Sequence, residues 1–229
     1  MFKRPVRLEL PASILRGACV FALVLAPLLA CSAEQVEDGS GEIPGWISLF
    51  DGKTLEGWKI TDFGGQGKVQ VKGSAIAMDF GNDMTGITWA GEFPTNNFEI
   101  ALEAMQVDGT DFFCGLTFPV DDDYCSLIVG GWGGSIVGLS SIDDMDASEN
   151  ETSRSMRLWR GRWYRIRLAV VGRHIRAWID DEMVVDIDTT GGKLGVRPEV
   201  RLSRPLGFAS WQTRAALRKI RYRVIDVLP

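Results

Sequence analysis

The sequence predicts an all-β fold, a sandwich of two antiparallel sheets. From Trp46 onward apolar and polar residues alternate with period two. Gly and Pro interrupt that alternation at short intervals, and no stretch there keeps a strong helical period. Many short strands joined by turns are stable when two sheets each bury one face and leave the other wet.

The elements follow in order. In LFDGKTLEGW, residues 49 to 58, Asp51-Gly52 makes a turn, and Phe50 and Trp58 anchor the strands on either side. Asp51, Lys53 and Glu56 are then turn residues rather than chemistry. NNFEIALEAMQV sets Phe98, Ile100 and Leu102 against Glu99, Ala101 and Glu103. CGLTFPVDDDYC reads as a hairpin with its turn near Pro119-Val120. That register places Cys114 opposite Cys125, within reach of a disulfide; a metal pair is the weaker alternative.

The clearest hairpin is WYRIRLAVVGRHIRAWID, turning at Gly172-Arg173 in a type II′ geometry. Its register pairs Val170 with Ile175, Leu168 with Ala177 and Ile166 with Ile179 on one apolar face. The other face pairs Ala169 with Arg176, Arg167 with Trp178 (a cation–π pair) and Arg165 with Asp180 (an ion pair). A three-residue loop, Asp180-Asp181-Glu182, would pair Ile179 with Met183, Ala177 with Val185 and Ile175 with Ile187. RKIRYRVIDV closes the fold with Ile220, Tyr222 and Val224 alternating against Lys219, Arg221 and Arg223.

The N-terminus reads differently. Residues 1–30 carry a basic leader and the apolar run GACVFALVLAPLLA, of signal-peptide length and too short to cross a bilayer. The end, Leu28-Leu29-Ala30-Cys31, resembles a bacterial lipobox, which implies cleavage before Cys31 and lipidation of its thiol. A membrane-anchored lipoprotein of a bacterial cell envelope is the expectation. Residues 31–44 read as a flexible tether and residues 45–229 as one sandwich domain. Removing the leader's four basic residues and one acid from the chain's 25 and 30 leaves a formal −8. Nucleic acid is bound through neutralised phosphates, so it is a poor partner for such a chain.

GWISLFDGKTLEGWKI closely resembles the start of the 3-keto-disaccharide hydrolase family, the 3-keto-glucoside lyase/hydratase domains. KVQVKGSAIAM, NNFEIALEAMQV, GRWYRIRLAVVGRHIRAWIDDEMVVDID and RPLGFASWQTRAALRKIRYRVI continue the likeness from about Trp46 to Asp226. The resemblance implies a concanavalin-A-like jelly-roll sandwich. It implies elimination of a glycosidic bond from a sugar whose C3 ketone acidifies the C2 hydrogen, followed by hydration. That chemistry needs a base, a positive group for the enolate oxygen and an acid for the leaving group. It needs no bound redox cofactor, since a separate dehydrogenase supplies the ketone; a divalent metal could be the positive element. The same fold also carries lectin-like and laminin G-like modules, so a non-catalytic carbohydrate-binding domain is the alternative. The chain contains no Glu-x-Asp, which weighs against laminarinase-type hydrolysis.

The middle of the chain departs from the family's pattern, and the chemistry is sought there. SSIDDMDASENETSR is the richest polar stretch, and Asp143, Asp144 and Glu149 are its candidate acids and bases. Asn150 and Arg154 are candidate substrate contacts. Asp144 and Asp146 are oxygen ligands for Ca²⁺ or another divalent metal, without EF-hand spacing. A solvated acidic loop is the other reading. Trp132, between the glycine pairs of GGWGGS, and Trp178 with Arg167 are candidate sugar platforms; a rim tryptophan and a shielded one are the alternatives. Glu99 and Glu103 read as a wet sheet face, Asp108 and Asp111 as turn formers, and His174 as a surface histidine.

Overall fold

The computed structural model describes residues 45–226. The expected leader, Cys31 and the tether at residues 31–44 lie outside the described residues. Fifteen strands follow in chain order. The first eight are β1 (Ile47–Ser48), β2 (Trp58–Ile60), β3 (Val69–Lys72), β4 (Ala75–Met78), β5 (Met84–Trp89), β6 (Phe98–Gly109), β7 (Cys114–Val120) and β8 (Asp123–Gly130). Then come β9 (Ile136–Ser140), β10 (Arg154–Ser155), β11 (Trp163–Val171), β12 (His174–Ile179), β13 (Glu182–Asp188), β14 (Gly207–Trp211) and β15 (Thr213–Val224).

They form two antiparallel sheets. An eight-stranded sheet runs β13-β12-β11-β6-β15-β4-β3, with β1 also on β15. A seven-stranded sheet runs β10-β9-β8-β7-β14-β5-β2. The core lies between them, because alternate residues of every long strand are apolar. Phe98, Ile100 and Leu102 of β6 and Ile166 and Leu168 of β11 face Leu116 and Phe118 of β7 and Phe208 of β14, all buried. Each such side chain contributes about 1.5–3 kcal/mol relative to exposure.

The opening turn forms as its residues dictate. One Asp51 carboxylate oxygen accepts the backbone N–H groups of Lys53 at 2.7 Å and Thr54 at 2.8 Å. Those bonds, Thr54's first, hold the Asp51 carboxyl below its ordinary value. Phe50 and Trp58 are buried, and the Trp58 indole donates to the Leu49 carbonyl at 2.7 Å.

The β11–β12 hairpin has the expected register throughout, from Ile166 opposite Ile179 to Val171 opposite His174. Gly172 takes φ +57° and Arg173 does not enter the left-handed region, as a type II′ turn requires. Arg167 stacks on Trp178 at 3.9 Å, and Arg165 meets Asp180 at 3.8 Å.

Two expectations need correction. The β12–β13 loop has two residues, not three: Ile179 pairs with Glu182, and a bulge after Ala177 restores Ala177–Val185 and Ile175–Ile187. Asp180 makes the short loop by adopting φ +53°. The second correction concerns the cysteines. The β7–β8 turn falls at Asp121-Asp122, two residues beyond Pro119-Val120, so Cys114 lies opposite Val129 and Cys125 opposite Phe118. Four residues of strand separate them, roughly 13 Å, beyond the roughly 7 Å limit for bridging. Both are free and fully buried, and burial pushes each thiol up to about 12.

Candidate functional site

The outer face of the seven-stranded sheet has a floor of small residues. Cross-strand register lines up Ser140, Ser126, Thr117 and Gly207 in one row, and Gly138, Ile128, Gly115, Ala209 and Gly86 in the next. Apart from Ile128 these rows carry no bulky side chain, and loops lie close against this face. A Cβ on Gly138 would sit 3.1 Å from the Ala147 and Thr152 carbonyl oxygens, and one on Gly207 would meet the Ser203 oxygen at 2.5 Å.

Those loops and the strand ends enclose a cavity of about 190 Å³. Asp111 and Phe112 enter from the β6–β7 connection, Trp132 from the β8–β9 turn, and Trp211 from the end of β14. Arg197 enters from the cap of a short 3-10 turn at Pro198–Ser203, and Glu199 from within that turn. Ser126 and Ser140 contribute hydroxyls, and Met84, Ile128 and Val200 apolar wall.

Each polar group is oriented by specific bonds. Asp111 accepts the Phe112 N–H at 2.8 Å and the Gly133 N–H at 3.4 Å, and its backbone is clamped by the Thr213 hydroxyl at 3.0 and 3.1 Å. No cation pairs with its carboxylate among the described residues. Arg197 forks onto Glu199 at 3.2 and 3.4 Å and also bonds Asp146, whose other oxygen accepts the Ser140 hydroxyl at 3.1 Å. The bonds from Arg197 hold the Glu199 carboxyl below its ordinary value. Glu199 is therefore an ionised orienting partner at neutral pH, not a proton donor.

Trp132 is 40 % exposed and sits at φ 49°, ψ 57°, in the left-handed region, between Gly130 at φ +82° and Gly133 at φ +85°. A non-glycine residue there costs about 1–3 kcal/mol and is found where structure or function demands it. The result is an indole presented to solvent at the cavity's lip.

Of the site candidates singled out in the sequence, only Trp132 lines this cavity, and Asp146 reaches it through Arg197. Asp143 turns away: its carboxylate accepts the Lys193 N–H at 2.8 Å. Asp144 pairs with the Lys193 ammonium at 2.7 Å, so Asp144 and Asp146 serve different cations instead of sharing one metal. Among the described residues no group of three His, Cys, Asp or Glu side chains is placed to hold a metal ion. Glu149 accepts the Asp146 N–H at 3.3 Å.

Asn150 is a staple rather than a substrate contact. It is buried; its amide donates to the carbonyls of Leu139, Asp146 and Met145 at 2.7, 2.8 and 3.1 Å and accepts from Thr152. Arg154 faces Glu182 at 3.9 Å on the edge strand β10. Trp178 and Arg167 lie on the outer face of the other sheet, where Arg167 bonds Glu99 at 2.9 Å.

Sequence reasoning missed Asp111, Arg197, Glu199 and Trp211. Asp111 looks like any aspartate beside Gly-Thr, and Arg197 and Glu199 sit at the start of a single short 3-10 turn with no periodicity to mark it. Trp211 at a strand end next to Gln212 carried the only local signal, an aromatic where alternation stops.

Residues 45–227 match a family described as the 3-keto-alpha-glucoside-1,2-lyase-like domain. The chain belongs to that family. No curated protein sequence matches it. Among solved structures, the domain is similar to the Crh5 transglycosylase in complex with NAG, with a TM-score of 0.56 and 14 % identity over 80 % of this chain and 85 % of that one. A Parabacteroides distasonis protein provisionally assigned as a glycosyl hydrolase gives 0.52 and 13 % over 80 % and 95 %. Carbohydrate-binding module CBM66 from Bacillus subtilis gives 0.50 and 12 % over 73 % and 95 %. At these identities the likeness establishes the jelly-roll fold of the domain and nothing finer.

Proposed function

We propose that this domain takes a 3-keto-glycoside into the cavity on the seven-stranded sheet and cleaves it by elimination, followed by hydration. The observation that carries the reading is the convergence of Asp111, Arg197 and two tryptophans on one cavity above a floor of serine, threonine and glycine. A cavity of that size takes one sugar ring, with the rest of the ligand passing over the lip at Trp132. Asp111, a carboxylate with no cation partner among the described residues, removes the hydrogen from C2. The electron pair moves into the C3 carbonyl, and the Arg197 guanidinium offers its positive charge to the enolate oxygen. The C1–O bond then breaks to leave the enone, and the departing oxygen takes the proton now on Asp111. Water adds across the double bond to complete the hydration.

Non-catalytic carbohydrate binding is the second reading, and one observation favours it. Glu199, which lines the cavity, and Asp146, which reaches it through Arg197, are both already committed to that guanidinium. A chromogenic 3-keto-glucoside separates the two. Elimination predicts release of the chromophore from the keto sugar and none from the unoxidised glucoside. Binding of both sugars with turnover of neither would establish the second reading, and binding of neither would remove both.

The export and lipid attachment expected at Cys31 belong to the same proposal, since they place the domain in the envelope with its substrate. Cys31→Ser is expected to abolish incorporation of labelled palmitate and release the protein from the membrane fraction. A variant that stays lipidated and membrane-bound contradicts it.

A further inference from the structure

The outer face of the eight-stranded sheet carries charge opposite to that of the chain. Register sets three rows across β12, β11, β6 and β15. The first reads Arg176, Ala169, Glu99, Arg223; the second Trp178, Arg167, Ala101, Arg221; the third sets Arg165 and Glu103 beside Arg218. Rows of one face lie about 6.7 Å apart along the strands. The two glutamates lie low: Glu99 is held by Arg167 and Arg223 with 4 % of its side chain exposed, and Glu103 by Arg218 and Lys219 with 16 %. Burial alone would raise the Glu103 carboxyl, but its bonds to Lys219 and Arg218 bring it below the ordinary value. Asp180 and Asp181 occupy Arg165. Across β12, β11, β6 and β15 six cations remain against Glu99 and Glu103, with Asp186 and Asp188 of β13 on the same face at the sheet's edge, on a chain whose formal charge is −5.

Among the described residues, two of the six are uncommitted. Arg176 lies opposite Asp186, but that carboxylate bonds the His174 ring at 2.7 Å. Arg221 makes no ion pair among the described residues, and its buried Nε has no hydrogen-bond partner there. Depressions of about 350 and 470 Å³ flank the Arg167–Trp178 pair, with Ala101 in one and Ala169 in the other. Trp46 lies beneath Arg221 and Arg223 at 5.1 and 5.0 Å, so indole faces and guanidinium forks alternate across the sheet.

We infer that this face binds a strand of acidic, uronate-bearing polysaccharide, independently of the Asp111 cavity. Guanidinium forks match carboxylates in two-pronged geometry, and the recesses beside the stacked Arg–Trp pairs accept sugar rings. The recessed shape separates this partner from an anionic membrane, which would be met by projecting side chains. A polymer held here leaves the cavity on the opposite sheet open.

The test uses the full chain and measures binding to polygalacturonate and alginate, with dextran and phosphatidylglycerol vesicles alongside. Wild type is expected to bind both polyanions at low salt, more weakly as salt rises, and not to bind dextran through this face. Arg176→Gln with Arg221→Gln removes the two uncommitted forks without exposing Glu99 or Glu103. It is expected to weaken polyanion binding by about tenfold or more while melting stays unchanged. The single Arg176→Gln variant, which disturbs no core contact, is expected to show part of that loss. Absence of binding to both polyanions, equal binding by the double variant, or preference for the vesicles would each overturn the inference. Loss of sugar binding at the cavity through Trp132→Ala would leave this affinity intact, so the two proposals fail separately.

Discussion

Asp111→Asn is expected to lower turnover of a 3-keto-glucoside by about 10²–10⁴-fold, the range that a positioned general base supplies. The substitution keeps the side chain's shape. The new amide oxygen would still accept the Phe112 N–H that orients Asp111 at 2.8 Å, so the β6–β7 connection should stay in place. Michaelis constant and melting temperature should then change little, and the loss should fall on kcat. Asp144→Ala provides the contrast. Asp144 is exposed and faces Lys193 away from the cavity, so its loss should leave turnover unchanged and stability within about 0.5 kcal/mol. Equal losses in both variants would mean that the chemistry belongs to the acidic loop and not to this cavity.

Asn150→Ala is expected to destabilise the fold by about 3 kcal/mol and to lower activity with it. The amide closes the segment from Ile142 to Thr152 onto β9 through bonds to three carbonyls and two groups of Thr152. Alanine leaves the Leu139 carbonyl without that partner in a buried setting and frees the segment that holds Asp146 against Arg197 and Ser140. Chemical denaturation measures the first effect. The second should appear as a weaker response to sugar even in the folded fraction, because Arg197 loses one of the two carboxylates that aim it.

How far the sequence could be read follows from where its information is local. The β11–β12 hairpin was legible to the residue because Gly172 fixes the turn and the alternation on both strands permits one register. The β7–β8 hairpin was not. CGLTFPVDDDYC offers Pro119-Val120 and Asp121-Asp122 as turns, and choosing the first shifts every partner and invents a disulfide. What decides is burial: Val120 is fully buried, and that keeps the strand running past the proline.

The site was legible only in Trp132, whose glycine neighbours announce an unusual backbone. Asp111, Arg197, Glu199 and Trp211 come from separated connections, and only the packing of loops on the small-residue floor brings them together. Asn150 stood in the right stretch for the wrong reason. A polar residue in an acidic loop suggests ligand contact, whereas its amide is consumed by the backbone it holds.

The proposed chemistry requires the sugar to occupy the cavity of the seven-stranded sheet and not the tryptophan on the other sheet. Titration of a 3-keto-glucoside into the Asp111→Asn protein, which binds without consuming it, tests this directly when repeated with Trp132→Ala, Trp211→Ala and Trp178→Ala added in turn. The first two are expected to raise Kd by about tenfold, equivalent to about 1.4 kcal/mol, and the third to leave it unchanged. A Kd that rises with Trp178→Ala and holds with Trp132→Ala and Trp211→Ala would contradict it.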